Sequence, residues 1–272
     1  MNPILKWAGG KRWLASRIRG QIPKHFKTYY EPFLGSGVFF FLLEPKKAIL
    51  SDINPELINC YQQIRDKCEE VIHILKNLRF SKESYYFIRD KAYKNANASH
   101  RAAYFLYLNR TCWNGLYRVN DEGHFNVPLG RFNRIPIICD PDEIRRASQL
   151  LQHAKIVCAD FSKILQKVKK DDFVYLDPPY ITTHSNNGFI KYNQHLFNMM
   201  DQKRLSVEIK RLAKARTYVM HSNASHESVT ALYSVKYLNL YRLERQCSIA
   251  GDASKRRSVQ EIVVTSGFKI NL

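Results

Sequence analysis

Asp177-Pro178-Pro179-Tyr180 gathers a carboxylate, two backbone carbonyls and an aromatic ring within four residues. The prolines fix φ and push the residue before each of them towards extended geometry, so the turn is stiff and Tyr180 is aimed by the backbone. Such a group suits a planar base that carries an amine: the carboxylate and a carbonyl accept both amine hydrogens while the ring stacks on the base. A plain strand exit closed by prolines would use the same four residues, so the turn alone leaves both readings open.

Two glycine segments supply a second kind of chemistry. Lys6-Trp7-Ala8-Gly9-Gly10-Lys11 is a glycine turn feeding Trp13, Leu14 and Ile18 at helical spacing. Backbone N–H groups there, with the Lys11 ammonium, would take a carboxylate or phosphate, and Trp7 would cover a ring. Glu31-Pro32-Phe33-Leu34-Gly35-Ser36-Gly37 reads as a strand end and glycine turn before the buried helix Val38 to Leu43. A second strand, Ala48 to Ser51, ends at Asp52. An acid at that point can bind ribose hydroxyls, so the glycine loop with Asp52 favours an adenosine-containing cofactor over a plain structural turn. Asp160-Phe161, after the strand Lys155 to Ala159, could accept from an adenine amine and cover its ring, or equally cap the helix that starts at Ser162.

These groups must be held at strand ends. Phe173 to Leu176 is a short β-rich apolar run, as a buried parallel strand reads, and it delivers Asp177 to the sheet edge where open α/β sheets bind ligands. Pro55 to Leu78 carries Leu57, Ile58, Tyr61, Ile64, Cys68, Val71, Ile72 and Leu75 on one face and predicts one long amphipathic helix. Helical patterns follow from Lys82 to about Lys94, from His100 to about Asn109 and after Pro141. Residues 57–149 therefore read as a mainly helical insertion, and 1–56 with 150–272 as the α/β domain it interrupts. Within the insertion, Trp113 to Val127 has two turn signals, Asn114-Gly115 and Asp121-Glu122-Gly123, around short alternating strands, which predicts an exposed hairpin. Arg118 there could bond a guanine edge bidentately, Asn114 could bond a base or phosphate, and Leu116 or Trp113 could wedge between base steps. The stretch from Thr182 to Asn193 is polar and suits a segment closing over substrate. A helix from Met200 to Ala213, a strand from Tyr218 to Ser222, a helix from Ser225 to Tyr233 and a final strand pair complete the pattern. Lys255, Arg256 and Arg257 form a basic loop suited to phosphates.

Composition narrows the partner. The chain has 272 residues, with 43 Lys and Arg against 24 Asp and Glu, a net charge of +19, and 45% apolar residues. A core is available, and the basic excess points to a polyanion, since aromatic and basic residues interleave from 101 to 134. The six cysteines at 60, 68, 112, 139, 158 and 247 have no metal-ligand spacing and read as buried free thiols, so no metal is expected. No secretion signal and no apolar run of about 18 residues is seen, and a cytoplasmic location is the expectation.

These segments in this order resemble the Dam-type DNA adenine-N6 methyltransferases, of the D12 class and alpha group, over nearly the whole chain. Lys6 to Lys11 resembles that family's opening motif, Glu31 to Gly37 its cofactor loop, and Asp177 to Tyr180 its catalytic motif. Tyr107-Leu108-Asn109-Arg110, Asn114-Gly115-Leu116 and Phe125-Asn126-Val127-Pro128 resemble its recognition hairpin. The resemblance implies a Rossmann-like methyltransferase sheet with helices on both faces and S-adenosyl-L-methionine as cofactor. It implies contacts to that cofactor from Trp7, Ala8, Gly9, Gly10, Lys11, Pro32, Phe33, Gly35, Ser36, Gly37, Asp52, Asp160, Phe161 and Asp177. It further implies contacts to double-stranded DNA from Lys6, Trp113, Asn114, Leu116, Arg118 and Pro128, with GATC as the expected site and a restriction endonuclease as a functional partner. Trp113 and Phe132 depart from the pattern, since GATC-methylating members carry tyrosine at both places. Transfer to cytosine N4 or to RNA, and a DNA reader without catalysis, remain as rivals. A nicotinamide-dependent oxidoreductase lacks the third glycine spacing.

Overall fold

The structure is a computed structural model and describes residues 1–180, 197–246 and 258–271. The polar stretch from Thr182 to Asn193 and the basic loop of Lys255, Arg256 and Arg257 lie outside the described residues. The chain is mixed α/β, with seven strands among the described residues. It divides into two compact units, Met1–Ala15 with Leu34–Asp160, and Ser16–Phe33 with Phe161–Leu272.

In the first unit, β2 (Ala48–Asp52) and β3 (Ala154–Cys158) pair in parallel, with Asp52 opposite Cys158. Both strands therefore end at one edge, where the Ala159 N–H donates to the Asp52 carbonyl at 3.1 Å. Helices α1 (Arg12–Ile18) and α2 (Val38–Leu43) come earlier in the chain, and between β2 and β3 in sequence lie α3 (Pro55–Asp66), α4 (Cys68–Lys76), α5 (Lys82–Phe87), α6 (Ala98–Thr111) and α7 (Pro141–Leu151). Asn54 starts α3 by accepting from the Glu56 and Leu57 N–H groups, with Pro55 in the first turn, where a missing N–H costs nothing. The single helix expected from Pro55 to Leu78 is two. Lys67 leaves helical geometry at φ −138°, ψ 43°, although the apolar spacing runs on through it. The alternating strands expected in the hairpin shrink to two backbone bridges, Cys112 with Leu129 and Val119 with Phe125, because turns at both ends consume the residues a ladder would need.

The second unit orders its strands β1 (Tyr29–Glu31), β4 (Phe173–Leu176), β5 (Tyr218–Ala224), β7 (Ser258–Ser266) and β6 (Asn239–Gln246). The first three are parallel and the last two antiparallel additions. All four residues of β4 are buried, as its central position between parallel neighbours requires. The registers Tyr29 with Phe173, Tyr175 with Met220, Ser222 with Val263 and Ala224 with Glu261 settle the faces. Side chains alternate along a strand, so Tyr29, Glu31, Tyr175, Ser222 and Glu261 share one face, and Asp177 continues that parity beyond β4. His221 and Asn223 lie on the other face. Helices α8 (Phe161–Leu165), α9 (Met199–Lys214) and α10 (Glu227–Thr230) complete this unit, α9 beginning at an Asn198–Asp201 capping box.

The thiols are free among the described residues, but only Cys60 and Cys112 are buried. Burial pushes the Cys112 thiol up to about 12. Cys158 is exposed, contrary to the sequence reading: it shares the parity of buried Ala154 and Ile156 but is the last residue of β3, at the open strand end.

Candidate active site

The opening segment and the glycine loop meet inside the first unit. Gly10 donates to the Trp7 carbonyl at 3.1 Å and Gly9 takes φ +78°, closing a tight turn. Lys11, 2% exposed, donates its ammonium to the Gly9 carbonyl at 2.7 Å and so braces the turn from beneath. At Gly35, φ is +47° and an added Cβ would lie 2.8 Å from Trp7 Cδ1. A side chain there would be strained twice, and glycine is what lets the loop touch the indole. The indole also stacks on Tyr117 at 5.6 Å and 17°.

Asp52 sits at the end of β2, half-buried. Its Oδ2 accepts from the Gly35 N–H at 3.1 Å and its Oδ1 from the Asn54 N–H at 3.0 Å. Burial raises its pKa, and the backbone N–H groups of Asn54, Gly35 and Ile53 oppose that rise. The acid thus fixes the loop and keeps acceptor capacity, since a carboxylate has about four acceptor sites. Leu34 is held at the same edge by its N–H to the Ser51 carbonyl at 2.9 Å, and Tyr61 donates to the Gly35 carbonyl at 3.1 Å. Ser36 and Gly37 are buried, and Asp160 follows β3 half-buried.

Lys6 and the hairpin turn, both expected to contact DNA, are drawn together by Asn109, which the sequence reading quoted within a motif without giving its side chain a role. Asn109 accepts from the Lys6 N–H at 2.9 Å and donates to the carbonyls of Lys6 at 2.8 Å and Gly115 at 3.2 Å. It therefore clamps Lys6 against the hairpin turn. Asn114 and Gly115 both take positive φ, and a Cβ at Gly115 would meet Lys6 Cβ at 2.5 Å. Trp113, Asn114 and Pro128 are exposed, with Leu116 and Arg118 half-exposed. Arg118 Nε donates to Asn126 Oδ1 at 2.8 Å. Val127, on the return side, accepts at its carbonyl from the Tyr85 hydroxyl at 2.8 Å and Arg89 Nη1 at 3.3 Å.

In the second unit the turn Asp177–Tyr180 leaves β4. Ser222 donates to Asp177 Oδ1 at 2.9 Å and stands 3.0 Å from the Tyr175 hydroxyl. Tyr180 donates its hydroxyl to Glu261 Oε2 at 3.1 Å. Burial first, then the negative charges of Asp177 and Glu261, hold the Tyr180 phenol well above its ordinary pKa, so it stays a neutral donor. Pro178 is buried and Pro179 half-buried, as is Phe33, and Pro32 is buried. Phe161, 3% exposed, stacks on Phe33 at 5.4 Å and 29°, with the Arg204 guanidinium 4.9 Å from its centre.

The chain thus carries a carboxylate-proline-proline-tyrosine turn at a parallel strand end, a glycine loop tied to a strand-end acid, and exposed turns that present Arg118 beside Asn126. Residues 7–249 match the sequence pattern of the D12 class N6 adenine-specific DNA methyltransferases. The chain belongs to that family. A type II methyltransferase of Lactococcus lactis subsp. cremoris is 37% identical over 98% of this chain and 95% of its own length. One from Methanocaldococcus jannaschii is 40% identical over 82% and 84%. A DNA adenine methylase of Haemophilus influenzae is 31% identical over 98% and 94%.

For this methyltransferase the sequence reading missed Ser222 and Glu261, and it quoted Asn109 and Asn126 within motifs without seeing that they hold Lys6 and Arg118. Glu261 left a signal: it is an acid directly before the apolar run Ile262-Val263-Val264, where an unpartnered charge is costly. No helix of the described residues is long and apolar enough to cross a membrane.

Proposed function

We propose that this methyltransferase moves a methyl group from S-adenosyl-L-methionine to N6 of an adenine flipped out of duplex DNA, within GATC. The observation that carries the chemistry is the turn at the end of β4, where Asp177 and Tyr180 are each tied by a hydrogen bond to a buried side chain. The residues fit the cofactor: Gly35 lets the glycine loop close on the Trp7 indole, and Asp52 retains acceptor sites suited to ribose hydroxyls. Trp7 through Lys11, Pro32, Phe33, Gly35 to Gly37, Asp160 and Phe161 complete that site in this reading. When bound, S-adenosyl-L-methionine supplies an electrophilic methyl group on sulfur.

An adenine amine is a poor nucleophile because its lone pair is delocalised into the ring. Asp177 and the Pro178 carbonyl accept its two hydrogens, which localises the lone pair and meets the positive charge that grows on nitrogen. Pro179 keeps the backbone rigid, and Tyr180 stacks on the base and fixes its plane. The amine proton leaves to water after transfer. No covalent link to the protein is required, in keeping with the raised, unreactive Cys60 and Cys112 thiols.

Residues 57–149 serve as the recognition segment. Because Arg118 Nε is committed to Asn126, its two terminal nitrogens make the bidentate contact to guanine O6 and N7. Lys6, Asn114, Leu116 and Pro128 contact the same DNA, and exposed Trp113 wedges between base steps. The type II names of the Lactococcus and Methanocaldococcus relatives support pairing with a restriction endonuclease. The test is sequencing of modified bases in duplex DNA incubated with the protein and cofactor. N6-methyladenine confined to GATC is expected; another motif would remove the site assignment, and N4-methylcytosine the substrate assignment.

A further inference from the structure

Glu261 is 2% exposed and stands on β7 among Ile262, Val263 and Val264. A carboxylate in such a place costs stability unless it is hydrogen-bonded, and a residue without charge would serve the strand better. It accepts the Tyr180 hydroxyl at 3.1 Å. Ser222, fully buried on β5, donates to Asp177 at 2.9 Å and pairs with the Tyr175 hydroxyl at 3.0 Å. The register sets Ser222 opposite Val263 and Glu261 opposite Ala224, so both side chains rise from one face of the sheet as a diagonal pair on neighbouring strands.

We propose that Glu261 and Ser222 are positioning residues for methyl transfer, Glu261 fixing the ring plane of Tyr180 and Ser222 fixing the carboxylate plane of Asp177. Glu261 acts on Tyr180, and Ser222 acts on Asp177 with a further hydrogen bond to the Tyr180 phenol. Tyr180 is then held at two points, by the proline-stiffened backbone at one end and by Glu261 at its hydroxyl, so the ring cannot roll away from the base. The Tyr175–Ser222–Asp177 chain aligns the serine proton with the carboxylate, and the hydrogen bonds in such a chain reinforce one another. Alignment of this kind governs the rate of the chemical step and leaves binding nearly unchanged. The inference rests on the reading of Asp177 and Tyr180 as the pair that holds the amine.

The experiment compares the full-length protein with Glu261→Ala, Glu261→Gln, Ser222→Ala, Tyr180→Phe and the double variants, by single-turnover methyl transfer, equilibrium binding of DNA and cofactor, and thermal unfolding. Glu261→Ala is expected to slow transfer about 10-fold, the effect of losing one hydrogen bond to a charged group, while both dissociation constants stay within about twofold. Glu261→Gln keeps an acceptor and recovers most of the rate. Tyr180→Phe keeps the ring but loses the hydroxyl; combined with Glu261→Ala it is no slower than the slower single variant, because both remove one contact. Ser222→Ala loosens Asp177 and also loses a hydrogen bond to the Tyr180 phenol, so its effect is partly shared with that of Tyr180→Phe. A folded Glu261→Ala protein at the wild-type rate, or multiplied effects of Glu261→Ala and Tyr180→Phe, would overturn the proposal. Coupling between positions 180 and 261 in thermal unfolding reads the contact without reference to activity. Coupling there with no methyl on adenine in the wild-type reaction would sink the proposed function while leaving the contact standing.

Discussion

Asp177 and Tyr180 are tied to side chains buried within a sheet, whereas Trp113, Asn114 and Pro128 stand exposed on turns joined by two backbone bridges. The first region gains its order from strand register: Ser222 and Glu261 cannot move without β5 and β7. The second gains it from a few separate ties, Asn109 to Lys6 and Gly115, Asn126 to Arg118, and Tyr85 and Arg89 to Val127. The contrast matches two physical demands. In-line transfer loses rate steeply when reacting atoms are misplaced, so its groups belong on rigid elements. Groove readout must follow DNA whose shape varies with sequence, and turns that present exposed side chains can adjust to it.

Substitutions should separate the two regions by what they change. Asp177→Ala should have the largest effect, slowing single-turnover transfer by about 100-fold or more, the scale of losing a group aimed at developing charge, with DNA binding retained. Near-normal transfer would remove the turn from the chemistry. Arg118→Ala should cost about 1–3 kcal/mol of discrimination at one base pair, read as cognate against single-mismatch binding, with the methyl-transfer rate on bound cognate DNA little altered. Equal weakening on all sequences would show a phosphate contact instead of base readout. Asn126→Ala should move in the same direction as Arg118→Ala by about 1 kcal/mol, because the guanidinium persists but loses the bond that orients it. If its loss adds fully to that of Arg118, the two do not act as a unit.

The same contrast explains how much could be read from residues in order. The β4 strand and its Asp177 exit are legible because an apolar run ending in a stiff polar turn has few structural equivalents. Asp52 is legible for the same reason at the end of β2. The break at Lys67 is not, since the apolar positions 57, 61, 64, 68, 71 and 75 keep one face through it. The hairpin was expected to carry strands because its turn residues signal a hairpin, yet those signals specify reversal and not ladder length. Phe161 reads as a ring cover or part of a helix start, and its stacking on Phe33 is a contact that no local pattern states. Ser222 and Glu261 required the pairing of β5 with β7, which no local pattern states.

Analysis of nucleosides from duplex DNA, after incubation with the protein and S-adenosyl-L-methionine labelled in its methyl group, tests the central claim most directly. Label recovered as N6-methyladenine from the wild-type reaction, and lost with Asp177→Ala, is the predicted result. Label in cytosine, label in adenine that survives Asp177→Ala, or no label in DNA would contradict the account.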